Sequence, residues 1–229
     1  MCVLKKPGQG EACLAATMRV GILSECGRCV FFPAAVKGVR AMIKAGRIEV
    51  VEYDAQWPRA FDEIKSVVEK AVGELALRIE HVGSTAIPGL SAKPIIDLDI
   101  VIGSHTDLPE VIARLSSLGY IHQGDLGIRG REAFKRDGED VPRTGTGKVW
   151  PKHHLYVCPE GSEGLTRHLA FRDYLRAHPE ELARYEAVKR RLAAQDPHDW
   201  EAYTDGKTDY IVGILRRAGV AMESTEIGD

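Results

Sequence analysis

The sequence predicts an α+β domain of mixed α/β character, in which strands and helices come first and a helical part follows at the carboxyl-terminal end. Three observations indicate this class. Segments of strand and helix periodicity follow one another from residue 47, one central segment is apolar nearly throughout, and three helical stretches end the chain without another strand. The chain has 229 residues, 44% of them hydrophobic, which is enough to bury a full core.

The first two elements are predicted directly after Gly46. Residues 47–53 alternate polar and apolar side chains, as in a strand with one buried face. The pair Trp57-Pro58 then opens a helix over residues 57–75, because proline fits the first helical turn. Its apolar residues recur every three to four positions and are Phe61, Ile64, Val68, Val72 and Leu75.

Three further elements precede a polar stretch. Residues 77–82 are predicted to form a strand. Residues 94–102 are apolar except for two aspartates among the strand positions, which is typical of a central strand covered on both faces. Residues 109–118 are predicted to form a helix that ends at a glycine. Residues 120–150 are polar and Gly-rich, and we expect loops there with one short strand over residues 132–135.

The last third of the chain is predicted to hold one strand and then helices. Residues 153–157 (His-His-Leu-Tyr-Val) resume strand character. The helical stretches cover residues 162–177, 179–194 and 200–218. This order places the helical part after the sheet-forming segments.

The distribution of charge divides the chain unevenly. The formal charge is −2, but residues 1–46 hold seven basic and two acidic residues. We therefore expect an amino-terminal extension over residues 1–46, a domain over residues 47–219 and a tail over residues 220–229. Cys26 and Cys29 have the spacing of half a zinc site or of a redox pair. The alternative is an extension whose apolar residues dock on the main body or on another copy.

Composition excludes several classes of function. The near-balance of 31 basic and 33 acidic residues does not imply a nucleic-acid or anionic-membrane surface. No run of 18 apolar residues is present to span a membrane, and the first residues lack the continuous apolar core of a signal peptide. Five cysteines, an odd number, argue against a disulfide-stapled secreted fold. We expect a soluble cytoplasmic protein with a small-molecule partner.

Asp97 and Asp99 are the candidate metal ligands. Alternate residues of a strand share a face, so both carboxylates project from one side, about 6.6–7 Å apart along the chain. Two carboxylates within an apolar strand are costly to bury unless a cation lies between them. Their oxygen ligands suit Mg²⁺ or Mn²⁺ better than zinc. The alternative is a pair of solvated or Arg-paired strand residues.

Gly83, Ser84 and Thr85 are the candidate phosphate-binding residues. A glycine directly after a strand allows a tight turn, so that backbone amides and the two hydroxyl groups can approach an anion. Lys93 and Arg131 are the basic side chains that we expect to neutralise phosphate charge.

The stretch from His81 to Asp99 resembles the DNA polymerase β type of nucleotidyltransferase, whose pattern is a Gly-Gly or Gly-Ser turn followed by Asp-x-Asp on a strand. More closely, residues 47–218 resemble the GrpB family within that superfamily. The matching segments are HVGSTAIPGL (81–90), KPIIDLD (93–99), Arg131 to Phe134, HLYV (154–157), FRDYLR (171–176) and Tyr185 to Lys189.

The resemblance implies a nucleotidyltransferase-like fold with a small mixed sheet flanked by helices. It also implies Mg²⁺ or Mn²⁺ at Asp97 and Asp99, and nucleotide phosphates at Gly83 and Ser84. The implied reaction transfers a nucleoside monophosphate from a nucleoside triphosphate to an unknown hydroxyl acceptor, with release of pyrophosphate.

One departure from the superfamily concerns its third carboxylate. The corresponding strand offers His154 and Tyr156 on one face instead. His154 is therefore a candidate catalytic residue that binds a softer metal, acts as a base or contacts phosphate, or else is a hydrogen-bonded core histidine. The departure keeps open a protein that binds a nucleotide or phosphate ligand without turnover. Because some relatives are fused to dephospho-CoA kinase, an accessory role in coenzyme A metabolism is a further alternative.

Overall fold

The computed structural model describes residues 46–221, which form one compact unit. Its helices are α1 (Trp57–Val72), α2 (Leu108–Ser117), α3 (Glu163–Ala177), α4 (Glu180–Gln195), α5 (Trp200–Asp205) and α6 (Thr208–Arg217). Its strands are β1 (Ala76–Val82), β2 (Ile96–Ile102), β3 (Tyr120–His122), β4 (Glu132–Arg136) and β5 (His153–Pro159). The expectations for residues 1–45 and 222–229, including the Cys26 and Cys29 pair, lie outside the described residues.

The five strands form one mixed sheet in the order β1-β2-β5-β4-β3. Strand β2 pairs antiparallel with β1 and parallel with β5, and β4 pairs antiparallel with both β5 and β3. The parallel strands β2 and β5 are interior strands of the sheet. Parallel strands are usually covered by other elements on both faces. The predicted α+β class, with a small mixed sheet and a helical carboxyl-terminal part, is confirmed.

Helices α1 and α2 cover one face of the sheet. As predicted from its spacing, α1 buries Phe61, Ile64, Val68 and Val72, whereas Leu75 lies in a following 3₁₀ turn and is only partly buried. These side chains pack with Leu98, Ile100 and Leu155 of the central strands. Each fully buried aliphatic side chain contributes roughly 1.5–3 kcal/mol, so this layer is the main source of stability.

The opposite face carries the polar strand residues and is covered by α3. Val101 and Cys158 pack there against Leu165 of α3. A separate apolar cluster joins the loop after β1 to the carboxyl-terminal helices, and it consists of Ile87, Leu90, Phe171, Leu175, Tyr185, Ile214 and Leu215. The carboxyl-terminal helices are thereby fixed beside the loop that precedes β2.

The prediction of a strand over residues 47–53 is wrong. This segment makes one isolated bridge, in which Val51 and Ala92 exchange two backbone hydrogen bonds of 2.9 Å. The amide of Ile48 donates to the carbonyl of Pro197, 2.7 Å away. The alternating pattern buries Ile48 as expected, but the backbone is satisfied by two loops and not by a neighbouring strand.

Two further predictions need correction near glycine residues. The helix predicted over residues 200–218 is divided into α5 and α6 around Gly206. A Cβ at Gly206 would lie 2.5 Å from Cδ2 of Leu192, so any side chain there would have to displace Leu192 where this turn approaches α4. The strand β3 lies within residues 120–150, where loops were expected. It was missed because three residues are too few to show the alternation of a strand.

Within residues 46–221, no helix has the length and apolar character needed to cross a membrane.

Candidate functional site

The turn after β1 and the first aspartate of β2 are in direct contact. A Cβ at Gly83 would lie 2.2 Å from Oδ2 of Asp97, and the backbone there has φ of 69° and ψ of −171°. Only glycine accommodates both the carboxylate and this backbone conformation. The antiparallel pairing of Val82 with Asp97 brings the two segments together.

The two aspartates lie on one face of β2, and each is paired with a histidine. Nδ1 of His154 lies 2.9 Å from Oδ1 of Asp97, and Nδ1 of His168 lies 2.7 Å from Oδ2 of Asp99. His154 comes from β5, which is in register with β2, whereas His168 comes from α3. A carboxylate accepts hydrogen bonds, so Nδ1–H donates in both pairs and Nε2 lies on the far side of each ring from its aspartate.

The two carboxylates differ in environment. The Asp97 side chain is 26% exposed, whereas Asp99 is fully buried. Burial acts to raise the pKa of Asp97, but the hydrogen bond donated by His154 and the positive charge of Lys93 hold it below its ordinary value. Asp97 is therefore ionised at neutral pH. Oδ1 of Asp99 is buried without a hydrogen-bond partner among residues 46–221.

This donor set suits Mg²⁺ that is shared with a substrate. No three His, Cys, Asp or Glu side chains of the described part of the chain are arranged to hold a metal ion by themselves. Mg²⁺ commonly uses only one or two protein carboxylates and completes its shell with water and substrate phosphates. The unpartnered Oδ1 of Asp99 and the ionised Asp97 fit that requirement.

A pocket of about 230 Å³ opens beside Asp97. It is lined by Ser84, Lys93, Ile95, Asp97, His154, Tyr156, Lys189, Tyr203, Thr204 and Lys207. Three ammonium groups face one carboxylate in this lining. The pocket is therefore suited to a ligand with several negative charges.

None of the three lysines forms an ion pair with a carboxylate of residues 46–221. Nζ of Lys93 lies 4.2 Å from the ring centroid of Trp200 and 4.9 Å from that of Tyr203. Nζ of Lys207 lies 4.6 Å from the same Tyr203 ring, and Nζ of Lys189 donates to the carbonyl of Ser91. The aromatic faces stabilise the cations without neutralising them.

Burial lowers the pKa of all three lysines. The pKa of Lys189 falls to about 7, and the positive charges of Lys207, Arg190 and Lys93 add to the effect of burial. The pKa of Lys207 falls to about 8, through burial and the charge of Lys93. For Lys93, burial outweighs the attraction of Asp97. An anion in the pocket would favour the protonated form of each.

Thr85 is not brought to this pocket. Its side chain is buried, and the hydroxyl donates to the carbonyl of Ile95 at 3.3 Å and lies 3.1 Å from Nε2 of His81. Burial lowers the pKa of His81 to about 4, so its ring is neutral; it stacks on Phe61 at 4.6 Å. Thr85 thus closes the loop that ends at β2, and the expected contact between its hydroxyl and phosphate needs correction.

Arg131 also lies outside the lining of the pocket. It precedes β4, and its guanidinium carbon lies 4.5 Å from the ring centroid of Tyr156. Of the predicted site residues, the structure brings together Gly83, Ser84, Lys93, Asp97 and His154. Asp99 lies beneath them and is fully buried.

Sequence reasoning missed His168, Lys189 and Lys207. Lys189 stands in a run of basic residues that is typical of a solvated helix face, and Lys207 stands in the turn that was predicted as helix. One signal was present for Lys189. Glu181, Tyr185 and Lys189 are spaced four residues apart, and all three are buried.

The family model described as GrpB protein matches residues 47–217. The chain belongs to the GrpB family. Glutamate-rich protein GrpB of Alkalihalophilus pseudofirmus is 35% identical over 176 residues, which cover 76% of this chain and 97% of that protein. UPF0157 protein YqkA of Bacillus subtilis is 36% identical over 165 residues, or 72% of this chain, but the match spans only 45% of YqkA.

A crystal structure of conserved protein GrpB from Enterococcus faecalis superposes with a TM-score of 0.62 and 30% identity, covering 74% of this chain and 96% of that one. A structure of the Cid1 poly(U) polymerase, a mutant bound to MgATP, superposes with a TM-score of 0.42 and 10% identity over 61% of this chain and 42% of that chain. Dephospho-CoA kinase of Mycolicibacterium paratuberculosis is 30% identical over 193 residues, which are 78% of this chain and 47% of that protein.

Proposed function

We propose that this GrpB-family chain is a metal-dependent nucleotidyltransferase. It binds a nucleoside triphosphate with Mg²⁺ or Mn²⁺ and transfers the nucleoside monophosphate to a hydroxyl acceptor that is still to be identified. The observation that carries the proposal is the contact between Gly83 and Asp97, because it joins the phosphate-turn motif and the Asp-x-Asp strand at one pocket.

The lysines of the pocket support a polyphosphate ligand. Lys93, Lys189 and Lys207 come from the loop before β2, from α4 and from the turn after α5, so no single amphipathic helix accounts for their convergence. Each lacks a carboxylate ion pair among the described residues, and a triphosphate would supply the missing negative charge. Ser84, directly after Gly83, adds a hydroxyl group to the same lining.

A bound divalent cation would neutralise negative charge on the phosphate oxygens and would polarise the attacking and leaving oxygens. Asp97 and Asp99 are the residues that would hold it. His168 fixes Asp99 through Oδ2 and leaves Oδ1 unpartnered, and Gly83 leaves room for Oδ2 of Asp97. The protein groups are thus oriented before any ligand enters.

His154 is the proposed base for the acceptor. Its Nδ1–H donates to Asp97, which fixes the ring and leaves Nε2 free to accept a proton. The side chain is 51% exposed, so an acceptor can approach it. The acceptor oxygen bonds to the α-phosphorus, the bond from that phosphorus to the bridging oxygen breaks, pyrophosphate leaves, and the hydroxyl proton passes to Nε2.

Pyrophosphate release tests this proposal. The full chain is incubated with Mg²⁺ or Mn²⁺, each nucleoside triphosphate and a pool of small hydroxyl compounds, beside Asp97→Asn and the exposed α1 variant Asp62→Asn. Release by the wild type and Asp62→Asn, but not by Asp97→Asn, supports the proposal. Release that is equal in all three proteins, or absent from the wild type with every nucleotide, contradicts it.

A second candidate is a protein that binds the nucleotide without turnover. It is favoured by the position of His154, because β5 offers a histidine where the superfamily pattern leads us to expect a third carboxylate. Labelled nucleotide that binds tightly and is recovered intact after hours with the acceptor pool would favour this candidate.

An accessory role in coenzyme A metabolism rests on the similarity to dephospho-CoA kinase alone. The region matched in that relative is 47% of its length. Saturable binding of dephospho-CoA to this chain in calorimetric titration would support the role, and heats equal to those of dilution would exclude it.

A further inference from the structure

Arg131 lies beside the aspartate-bearing face of the sheet but outside the pocket that holds the three lysines. Its guanidinium group stacks on the ring of Tyr156. Tyr156 pairs in register with Asp99 and also lines the pocket together with Asp97. The Tyr156 ring is therefore the group shared by the pocket and Arg131.

The side chain of Arg131 has no hydrogen bond or ion pair to any residue between 46 and 221, although its Nε is buried. In the same range, the other partly buried arginines each bind a carboxylate or carbonyl oxygen; they are Arg78, Arg114, Arg136, Arg167 and Arg172. A partly buried guanidinium normally has such a partner. Among the partly buried arginines of residues 46–221, Arg131 alone lacks such a partner, and an anionic ligand would supply one.

The position of Arg131 is fixed by two glycines. A Cβ at Gly164 would lie 2.8 Å from Cβ of Arg131, and a Cβ at Gly130 would lie 2.7 Å from Cβ of Ser162. Any side chain at either position would push the start of α3 away from the loop before β4. The close approach fixes the backbone and Cβ of Arg131 at a place from which its guanidinium group reaches the Tyr156 ring.

Helix α3 carries a second buried and unpartnered Nε, that of Arg167. Arg167 follows Gly164 by three residues and so lies on the same side of the helix. Its terminal Nη2 pairs with Glu163, and its neighbour His168 binds Asp99. Arg167 thus has Glu163 as its carboxylate partner, whereas Arg131 has none among residues 46–221.

We propose that Arg131, stacked on Tyr156, binds a phosphate group of the acceptor molecule. This inference rests on the proposed function, in which the three lysines take the phosphates of the nucleotide. Arg131 stands on the β4 side of Tyr156, so it remains available when the lysine pocket is filled. Phosphate suits the place better than carboxylate, because the planar guanidinium fork of Arg131 can donate to two phosphate oxygens at once and phosphate carries the larger negative charge.

Calorimetric titration of inorganic phosphate into the full chain tests the site. The chain is first saturated with Mg²⁺ and a nucleoside triphosphate analogue that carries a methylene between its α- and β-phosphorus atoms. We expect one phosphate-binding event that survives this saturation and is weakened about tenfold or more in Arg131→Gln. Arg131→Lys should retain part of the affinity, because it keeps the charge but loses the planar fork.

Arg129→Gln is the matched control, because Arg129 is exposed and lies two residues away; it should bind phosphate as the wild type does. Nucleotide binding is measured separately in each variant, and Arg131→Gln should bind the analogue within about twofold of the wild type, since Arg131 lies outside the lysine pocket. Absence of a nucleotide-resistant phosphate event, an event unaffected by Arg131→Gln, or an event given by acetate and not by phosphate would overturn the inference. Failure of the wild type to bind any nucleotide refutes the proposed function instead, and the phosphate titration without nucleotide still tests Arg131.

Discussion

Oδ2 of Asp97 occupies the space that a side chain at Gly83 would need, since a Cβ there would lie only 2.2 Å away. The turn after β1 and the strand β2 are therefore interdependent. Gly83 can close its turn only because it lacks a side chain, and Asp97 can face the pocket only because Gly83 leaves room.

Gly83→Ala should disrupt this contact. The alanine has to tolerate a φ of 69° and displace the carboxylate as well, so we expect the free energy of unfolding to fall by about 2 kcal/mol or more and nucleotide binding to be lost. Gly147→Ala is the control, because Gly147 has the same φ of 69° but no atom within 4 Å of the added Cβ. Chemical denaturation and calorimetry measure both effects. Equal binding in the two variants would contradict the prediction.

The two histidines should differ in their contribution to stability. His168→Ala leaves the fully buried Asp99 carboxylate with no partner among the described residues, so we expect a loss of about 3 kcal/mol in unfolding free energy. His154→Ala removes a contact between partly exposed side chains and should cost about 1 kcal/mol or less. Urea unfolding of both variants at pH 7 checks this. A larger loss in His154→Ala would mean that the pair at Asp97 is the more deeply buried one.

Stability of the ligand-free protein should rise with pH. The folded pKa of Lys189 is about 7, against an ordinary value of 10.5. Between these values the unfolded chain holds a proton that the folded protein has released, so the free energy of unfolding increases as the pH rises. From pH 7 to 9 we expect this residue to add roughly 1–3 kcal/mol. Urea unfolding of Lys189→Met should show a flatter dependence on pH; an identical slope would contradict the prediction.

Binding of a polyanion should have the opposite dependence on pH. Inorganic triphosphate favours protonated Lys189 and Lys207, whose folded pKa values are about 7 and 8. Its affinity should therefore fall between pH 7 and pH 9, and the fall should be smaller in the double variant Lys189→Met/Lys207→Met. Titration calorimetry with the probe at three pH values measures this, and an affinity that increases with pH in the wild type would contradict it.

The parts of the site that follow local rules were predictable from the sequence. The period of two along a strand placed Asp97 and Asp99 on one face, and the glycine after β1 indicated a turn that packs closely. The pairing of His168 with Asp99 depends on how α3 packs across the sheet, which no local pattern specifies. Lys189 stands among basic neighbours as a solvated residue would, but it is buried by packing against the loop around Ser91 and the ring of Tyr185.

The same distinction between local patterns and tertiary packing explains the errors in the predicted fold. Residues 47–53 have the alternation of a strand, but hydrogen bonds to Ala92 and Pro197, both in loops, satisfy the backbone there. An alternation of polar and apolar side chains indicates which face of a segment is buried. It does not indicate which groups form hydrogen bonds with the backbone of that segment. The turn at Gly206 divides the helical pattern at a point where α4 approaches closely, and that approach is a tertiary feature.

Magnesium-dependent nucleotide binding tests the central claim most directly. Each nucleoside triphosphate is titrated calorimetrically, with and without Mg²⁺, into the wild type, the double variant Asp97→Asn/Asp99→Asn and the exposed control Asp62→Asn. We predict saturable binding that needs Mg²⁺, is retained in Asp62→Asn and is lost in the double variant. Binding that is absent from the wild type with all four nucleotides, or that is unchanged in the double variant, would contradict the account.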